Sequence, residues 1–285
     1  FTILKCAVGL AALAARLPAE EEQALLAPAV KALTARCKTE KEPKPLENLT
    51  TSLAILAARA AVVERCAAAK VLAERAVAEK EPLVVAGFAA AMNGLAACLP
   101  PAEVADLVKP LVDRLLTETD ASVRNRLAIA LGESASRLPR DQAAALLGRA
   151  VLQLAERLAT EKDIPRLSEL CFSLRQLQRF LDTKDTVVLA KAIVARMVEE
   201  KAENGLASLE ETLQGIAPRL SPKETHPLAK SLSERLKTEK DLGARKPLTN
   251  AFATVTARLD PAETAPLAKP IADAVIEQMA VSYTH

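Results

Sequence analysis

The chain has 285 residues, half of them apolar and 2% aromatic, with a formal net charge of +2 from 38 basic and 36 acidic side chains. That is ample core material, and abundant alanine with almost no aromatics suits closely packed helices rather than a sheet. The even mixture of charges argues against a polyanion as the main partner.

The opening stretch, FTILKCAVGLAALAARL, has the look of a signal-peptide core, yet it aligns with LENLTTSLAILAARA ending at Ala60. We therefore read it as the second helix of a repeat. A phrase of the form R-L-(D/S)-P then recurs along the chain, most clearly in PRLSPKETHPLAKS and ARLDPAETAPLAKP. Its anchors are Leu17, Ala60, Leu99, Leu138, Leu181, Leu220 and Leu259, spaced by 43, 39, 39, 43, 39 and 39 residues. The two long spacings each carry four extra residues, about one helical turn, before the next TEK-like phrase. A fixed period of this size is the signature of a tandem array.

Helix A is predicted to begin just after each anchor. Asp182, Ser221 and Asp260 stand at its start in three copies and proline in three others, while Glu21, Glu64, Glu103, Gln142, Asp185, Glu224 and Glu263 stand four after the anchor. An Asp or Ser followed three residues later by Glu or Asp is a capping-box arrangement, and proline in a first turn loses no intrahelical bond. Helix A runs to the TEK-like phrase. Helix B then runs to the next anchor with an apolar stripe 4, 7 and 11 residues before it, as in Leu56, Leu53 and Leu49 or Leu95, Met92 and Phe88. Those offsets mark one face of a helix. A lone pair of such helices cannot bury both its faces, so neighbours must stack. The expectation is an all-α, right-handed α-solenoid of tandem helix pairs, about fourteen helices in all. It would form a single array over residues 1–285, with about six full copies and partial copies at both ends. The array opens without Met and closes inside a copy, so we expect a segment of a longer chain.

The third copy reads TDASVRNRLAIALGESASRL, with Asp120, Val123-Arg124 and then Leu127, Ala128, Ala130, Leu131 and Gly132. This resembles a HEAT repeat, in which a turn aspartate and a Val-Arg pair precede an apolar second helix. Other copies replace the pair, with Val84-Val85, Pro165-Arg166 and Gly205-Leu206. The resemblance implies a protein-binding scaffold and nothing finer. A TPR-like array has a shorter period and a Trp/Tyr pattern that is missing here.

One arginine recurs near the end of helix A: Arg36, Arg75, Arg114, Arg157, Arg196 and Arg235. Four residues on comes Glu40, Glu79, Glu118, Glu161, Glu200 or Glu239. The spacing puts each pair on one helix face, but Arg-before-Glu is the weaker order and a glutamate in the last turn opposes the helix dipole. Stacking needs the same residues in every copy and a specific ligand does not, so the columns read as a ladder, each Arg reaching acidic groups of the next copy. The alternative is a charged strip for a ligand. A second column, Arg16, Arg59, Arg137, Arg219 and Arg258, ends helix B, where a cation suits the dipole. The lysines of the TEK phrase (Lys41, Lys80, Lys162, Lys201 and Lys240) read as solvated loop charges.

Chemistry finds little footing. The five cysteines, Cys6, Cys37, Cys66, Cys98 and Cys171, are scattered without CxxC spacing, and read as buried free thiols in a reducing, cytoplasmic compartment. His226 falls in a column otherwise held by Gln23, Cys66, Ala105, Ala144, Val187 and Ala265, and His285 is terminal. No metal, cofactor or catalytic residue is expected, since no ligand spacing, GxSxG, P-loop or GxGxxG appears. No apolar run suits a membrane span. A duplex-gripping solenoid would want a basic stripe, whereas nearly every recurring cation here has an acidic neighbour.

A partner, if any, is expected to be a protein or peptide on the concave B-helix face, 2, 6, 9 and 13 residues before each anchor. That face is small-residued in most copies. One copy differs, with Arg179, Arg175, Phe172 and Ser168. Phe172, Arg175 and Arg179 are the candidate hot spot, since aromatics and arginine dominate interface energetics; an ordinary solvated face with one stray Phe is the alternative. The reading is a non-catalytic scaffold or regulatory arm of a larger protein. A nucleic-acid backbone binder, or the accessory region of an enzyme whose active site lies elsewhere, are the contrasting readings.

Overall fold

A computed structural model describes the backbone of residues 2–282 and the side chains as far as Ile276; His285 lies outside the described residues. Among the described residues fourteen α-helices follow one another in tandem, with 3-10 turns at Gln178–Phe180 and Ala217–Arg219 and no strand. The B helices are α1 (Thr2–Ala14), α3 (Pro43–Ala57), α5 (Pro82–Ala96), α7 (Ala121–Ala135), α9 (Ile164–Leu177), α11 (Glu203–Ile216) and α13 (Leu242–Thr256). The A helices are α2 (Ala19–Thr39), α4 (Val62–Ala78), α6 (Pro101–Thr117), α8 (Arg140–Thr160), α10 (Thr183–Glu199), α12 (Pro222–Thr238) and α14 (Pro261–Ser282). The chain is an all-α solenoid of helix pairs.

The uneven spacing has a simple cause. Helices α2 and α8 have 21 residues, whereas α4, α6, α10 and α12 have 17. The four extra residues are one more turn of helix A, which lengthens the element without changing which side chains face the core.

Helix starts follow the local chemistry. The Asp182 carboxylate accepts the Asp185 N–H at 2.7 Å, and the Glu224 carboxylate accepts both the N–H and the hydroxyl of Ser221 at 2.7 Å. Among the B helices, Asp120, Asp163 and Asp241 accept the N–H groups of Val123, Arg166 and Ala244 at 2.9, 2.9 and 3.0 Å. Where Glu42 and Glu81 make no such cap, Pro43 and Pro82 open the helix instead.

Contacts divide the chain into two compact units, Phe1–Leu147 and Gly148–His285. In the first, α1, α3, α5 and α7 stack in one row and α2, α4 and α6 in a second. In the second, α9, α11 and α13 form one row and α10, α12 and α14 the other. The apolar stripe of helix B is the core: Leu49, Leu53, Leu56, Phe88, Met92, Leu95, Leu127 and Leu131 are each no more than 2% exposed, as are Leu170, Leu174, Leu177, Leu209, Leu213, Ile216, Leu248 and Val255. Ser134 takes a stripe position without penalty because its hydroxyl donates to Asn93 Oδ1 at 2.6 Å. Helix α1 departs from the pattern. Leu13 is 61% exposed, since α1 packs on α2 and α3 and this end of its stripe meets no neighbour.

The expectation of five buried thiols needs correction. Cys37 and Cys171 are buried, Cys66 is half-buried, and Cys6 and Cys98 are exposed. Cys98 falls in the turn beyond the end of α5, and Cys6 on the outward side of α1, where helical periodicity no longer implies burial. No described helix is long and apolar enough to cross a membrane.

Candidate functional site

Two sets of side chains meet where the copies join, and one exposed face stands apart from the rest. The first set lies at the turn from helix A to helix B. Glu40, Glu79, Glu118, Glu200 and Glu239 are not in the last helical turn but at the C-cap, where the backbone has already become extended. One carboxylate oxygen accepts the next two N–H groups, as when Glu118 Oε1 takes Thr119 and Asp120 at 2.8 Å each. The other accepts the arginine four residues back: Arg36 on Glu40 at 2.7 Å, Arg114 on Glu118 at 2.5 Å and Arg196 on Glu200 at 2.6 Å. Arg75–Glu79, at 3.6 Å, and Arg235–Glu239 repeat the pair. Glu161 bonds the Asp163 N–H at 2.9 Å, and Arg157 ends α8 at the matching position.

The arginines also reach across copies, though not to acidic groups as expected. Arg75 donates to the carbonyls of Cys37, Lys38 and Glu40 at 3.0–3.2 Å, Arg114 to those of Val77 and Glu79, and Arg196 to that of Glu161. These carbonyls end the preceding A helix and lack intrahelical donors, so a cation there satisfies them and meets the negative end of the dipole.

The second set is the arginine column ending helix B, which the helix dipole alone does not explain. Arg219 donates to the carbonyls of Gln178, at 2.7 Å, and Leu181; Arg258 donates to that of Pro218; and Arg59 pairs with Glu22 at 2.6 Å. Its recurrence at the same period as the first column was the signal of an inter-copy role. The TEK lysines, by contrast, are all exposed.

The exposed face runs along α9, α11 and α13. Lys246, Asn250 and Ala253 on α13 and Ala257 just after it are exposed; on α9, Ser168, Phe172 and Arg175 are half-buried, and Arg179 is exposed in the 3-10 turn Gln178–Phe180 that follows α9. Arg175 pairs with Glu211 of α11 at 3.1 Å and stands 5.8 Å from the centre of the Phe172 ring. Arg179 stands 4.7 Å over Phe180. Both guanidiniums thus sit over phenylalanines, in cation–π range. One turn before Phe172, Ser168 accepts the Ser208 hydroxyl at 2.9 Å and borders an open groove of about 470 Å³ lined by Ile164, Pro165, Ala202, Glu203 and Asn204.

Beside this face sits an unusual carboxylate. Glu210 is 7% exposed and accepts a hydrogen bond from Gln214. Burial, helped by the neighbouring Glu211 charge, pushes its pKa up against the pull of Gln214. Charging it costs the fold, so stability is complete below the ordinary carboxylate range. It declines as pH rises from there through the raised value. Glu210→Gln should therefore raise the thermal midpoint at pH 7, and that gain should vanish below about pH 4; melts at the two pH values check it.

Among the described residues no group of three or more His, Cys, Asp or Glu could hold a metal ion. His226 is half-buried with an unpartnered Nδ1 and belongs to no such group.

No family model matches the chain, and no curated protein matches it. Among solved structures, a designed armadillo repeat protein is similar at 15% identity and a TM-score of 0.47, over 78% of this chain and 98% of its own. Another, described as "Computational Design of Self-Assembling Cyclic Protein Homooligomers", is similar at 13% identity and a TM-score of 0.21, over 97% and 94%. Neither likeness is close enough to bear on function, and the solenoid stands on its own helices.

Proposed function

We propose that the chain is a HEAT-like, right-handed array that serves as a non-catalytic scaffold, binding a protein or peptide on its B-helix face. The observation that carries this reading is the Phe172–Arg175 contact, with exposed Arg179 four residues on, on a face otherwise made of small or polar residues. The Phe172 ring and Glu211 hold Arg175 in place, so little side-chain freedom is left to lose on binding. Phe172 supplies apolar burial, and the arginines supply charge-assisted hydrogen bonds to carboxylates or carbonyls. A reducing, cytoplasmic setting belongs to the same reading. Its support is Cys37 and Cys171, unpaired thiols whose pKa burial pushes up to about 11.

The test is capture of a partner on the immobilised wild type, followed by affinity measurement with the purified captured protein. Phe172→Ala/Arg175→Ala should weaken binding by about 2 kcal/mol or more, the usual hot-spot threshold. Glu211→Ala separates loss of the inter-helix ion pair from loss of the contact residues, because it keeps both Phe172 and Arg175; without its tether Arg175 has more freedom to lose, so binding should weaken, but by less than in the double variant. Equal affinities of the double variant and wild type would remove the hot spot.

A further inference from the structure

The repeats provide their own control for what stacking requires. Two branched residues, Val62 and Val63, open α4 at 47% and 77% exposure. The matching positions of α10 and α12 hold Thr183-Lys184 and Pro222-Lys223, and no other copy places a large apolar residue at either. The array therefore does not need this pair. Their cost in solvated apolar surface points to a function outside the fold.

Val63 borders an open groove of about 680 Å³ between α2 and α4, whose other lining includes Val30, Ala67, Lys31 and Lys38. Lys31 and Lys38 are exposed and stand two helical turns apart on α2, roughly 10 Å along the axis. Neither side chain shares an ion pair or hydrogen bond among the described residues, although the Lys38 carbonyl accepts from Arg75. Glu64, at the same groove, has a buried Oε2 without a partner. A groove of the second unit, between α10 and α12, is different in charge: two carboxylates, Glu199 and Glu234, line it with one lysine, Lys191, and Lys237 pairs with Glu234 at 2.7 Å.

We propose that the α2–α4 groove docks an amphipathic helix of a partner protein, apolar along one stripe and carrying two carboxylates about two turns apart along its edge. The stripe covers Val63 and Ala67, the carboxylates meet Lys31 and Lys38, and a hydroxyl or amide donor satisfies Glu64. This is helix-in-groove recognition, with apolar anchors for affinity and charge for register. It uses the A-helix row and does not depend on the B-face reading.

The probe is a fluorescein-labelled, capped helical peptide of Leu, Ala and Gln with an i, i+3, i+4, i+7 leucine stripe and two Glu seven residues apart. A second peptide has Lys at those two positions. Anisotropy titration into the whole chain should show the Glu peptide binding about tenfold or more tightly than the Lys peptide. Lys31→Glu/Lys38→Glu should reverse that preference, and Val63→Asp should weaken the Glu peptide at least about tenfold. All three substituted residues are exposed, so unchanged circular dichroism is expected. Absence of saturable binding, equal binding of the two peptides, or indifference to Val63→Asp overturns the proposal. Self-association of the chain that Val63→Asp abolishes would assign the groove to a second copy, and would overturn it equally.

Discussion

Glu118→Ala should lower the free energy of unfolding by about 3 kcal/mol, an effect of the size expected when one member of a buried ion pair is removed. The carboxylate is 9% exposed and the Arg114 side chain 15%, so solvent cannot replace what is lost. The N–H groups of Thr119 and Asp120 lose their acceptor at the same time. Glu118→Gln, which keeps an acceptor but not the charge, should cost less. Arg114→Ala also strips the donor from the carbonyls of Val77 and Glu79 in the preceding copy. Because the two side chains bond to each other, the double variant should cost less than the sum of the two singles, and full additivity in that cycle would reject the Arg114–Glu118 coupling. A pH series adds an independent check. Burial pushes the Glu118 pKa up, but the Asp120 N–H, the Arg114 side chain and the Thr119 N–H together hold it below the ordinary value. The stabilisation is present above the ordinary carboxylate range and is lost as pH falls through the depressed pKa. The gap between wild type and Glu118→Gln should close accordingly.

Leu95→Ala and Leu13→Ala should differ sharply although both residues stand four before an anchor. Leu95 is fully buried, so its truncation leaves a cavity and should cost about 2–5 kcal/mol. Leu13 is 61% exposed and should cost no more than about 0.5 kcal/mol. Denaturant titration of both variants decides the matter. Equal costs would mean that the stripe marks the same environment in both copies, and would contradict the solvated position of Leu13.

Periodicity was the most legible feature of this chain, because side-chain burial in a stacked helix is set by offset alone. Phe88, Met92 and Leu95 could be placed in the core by counting back from Leu99, and the longer α2 and α8 could be anticipated from four extra residues. The Arg/Glu columns were visible too, but not their targets. Arg75 and Arg114 reach backbone carbonyls, and a carbonyl has no letter in a sequence. The part played by Arg219 and Arg258 was concealed for the same reason. At the candidate face, counting put Phe172 and Arg175 on the surface, whereas they are half-buried. For Arg175 part of the cause is Glu211, which meets it from the next B helix in a contact that no period encodes.

Hydrogen exchange of the chain with and without its captured partner tests the scaffold reading most directly, since it reports protection element by element. Protection is expected over residues 164–181 and 203–218, with α10 and α12 exchanging as in the free chain. Protection confined to A-helix residues, with α9 and α11 unchanged, would contradict it.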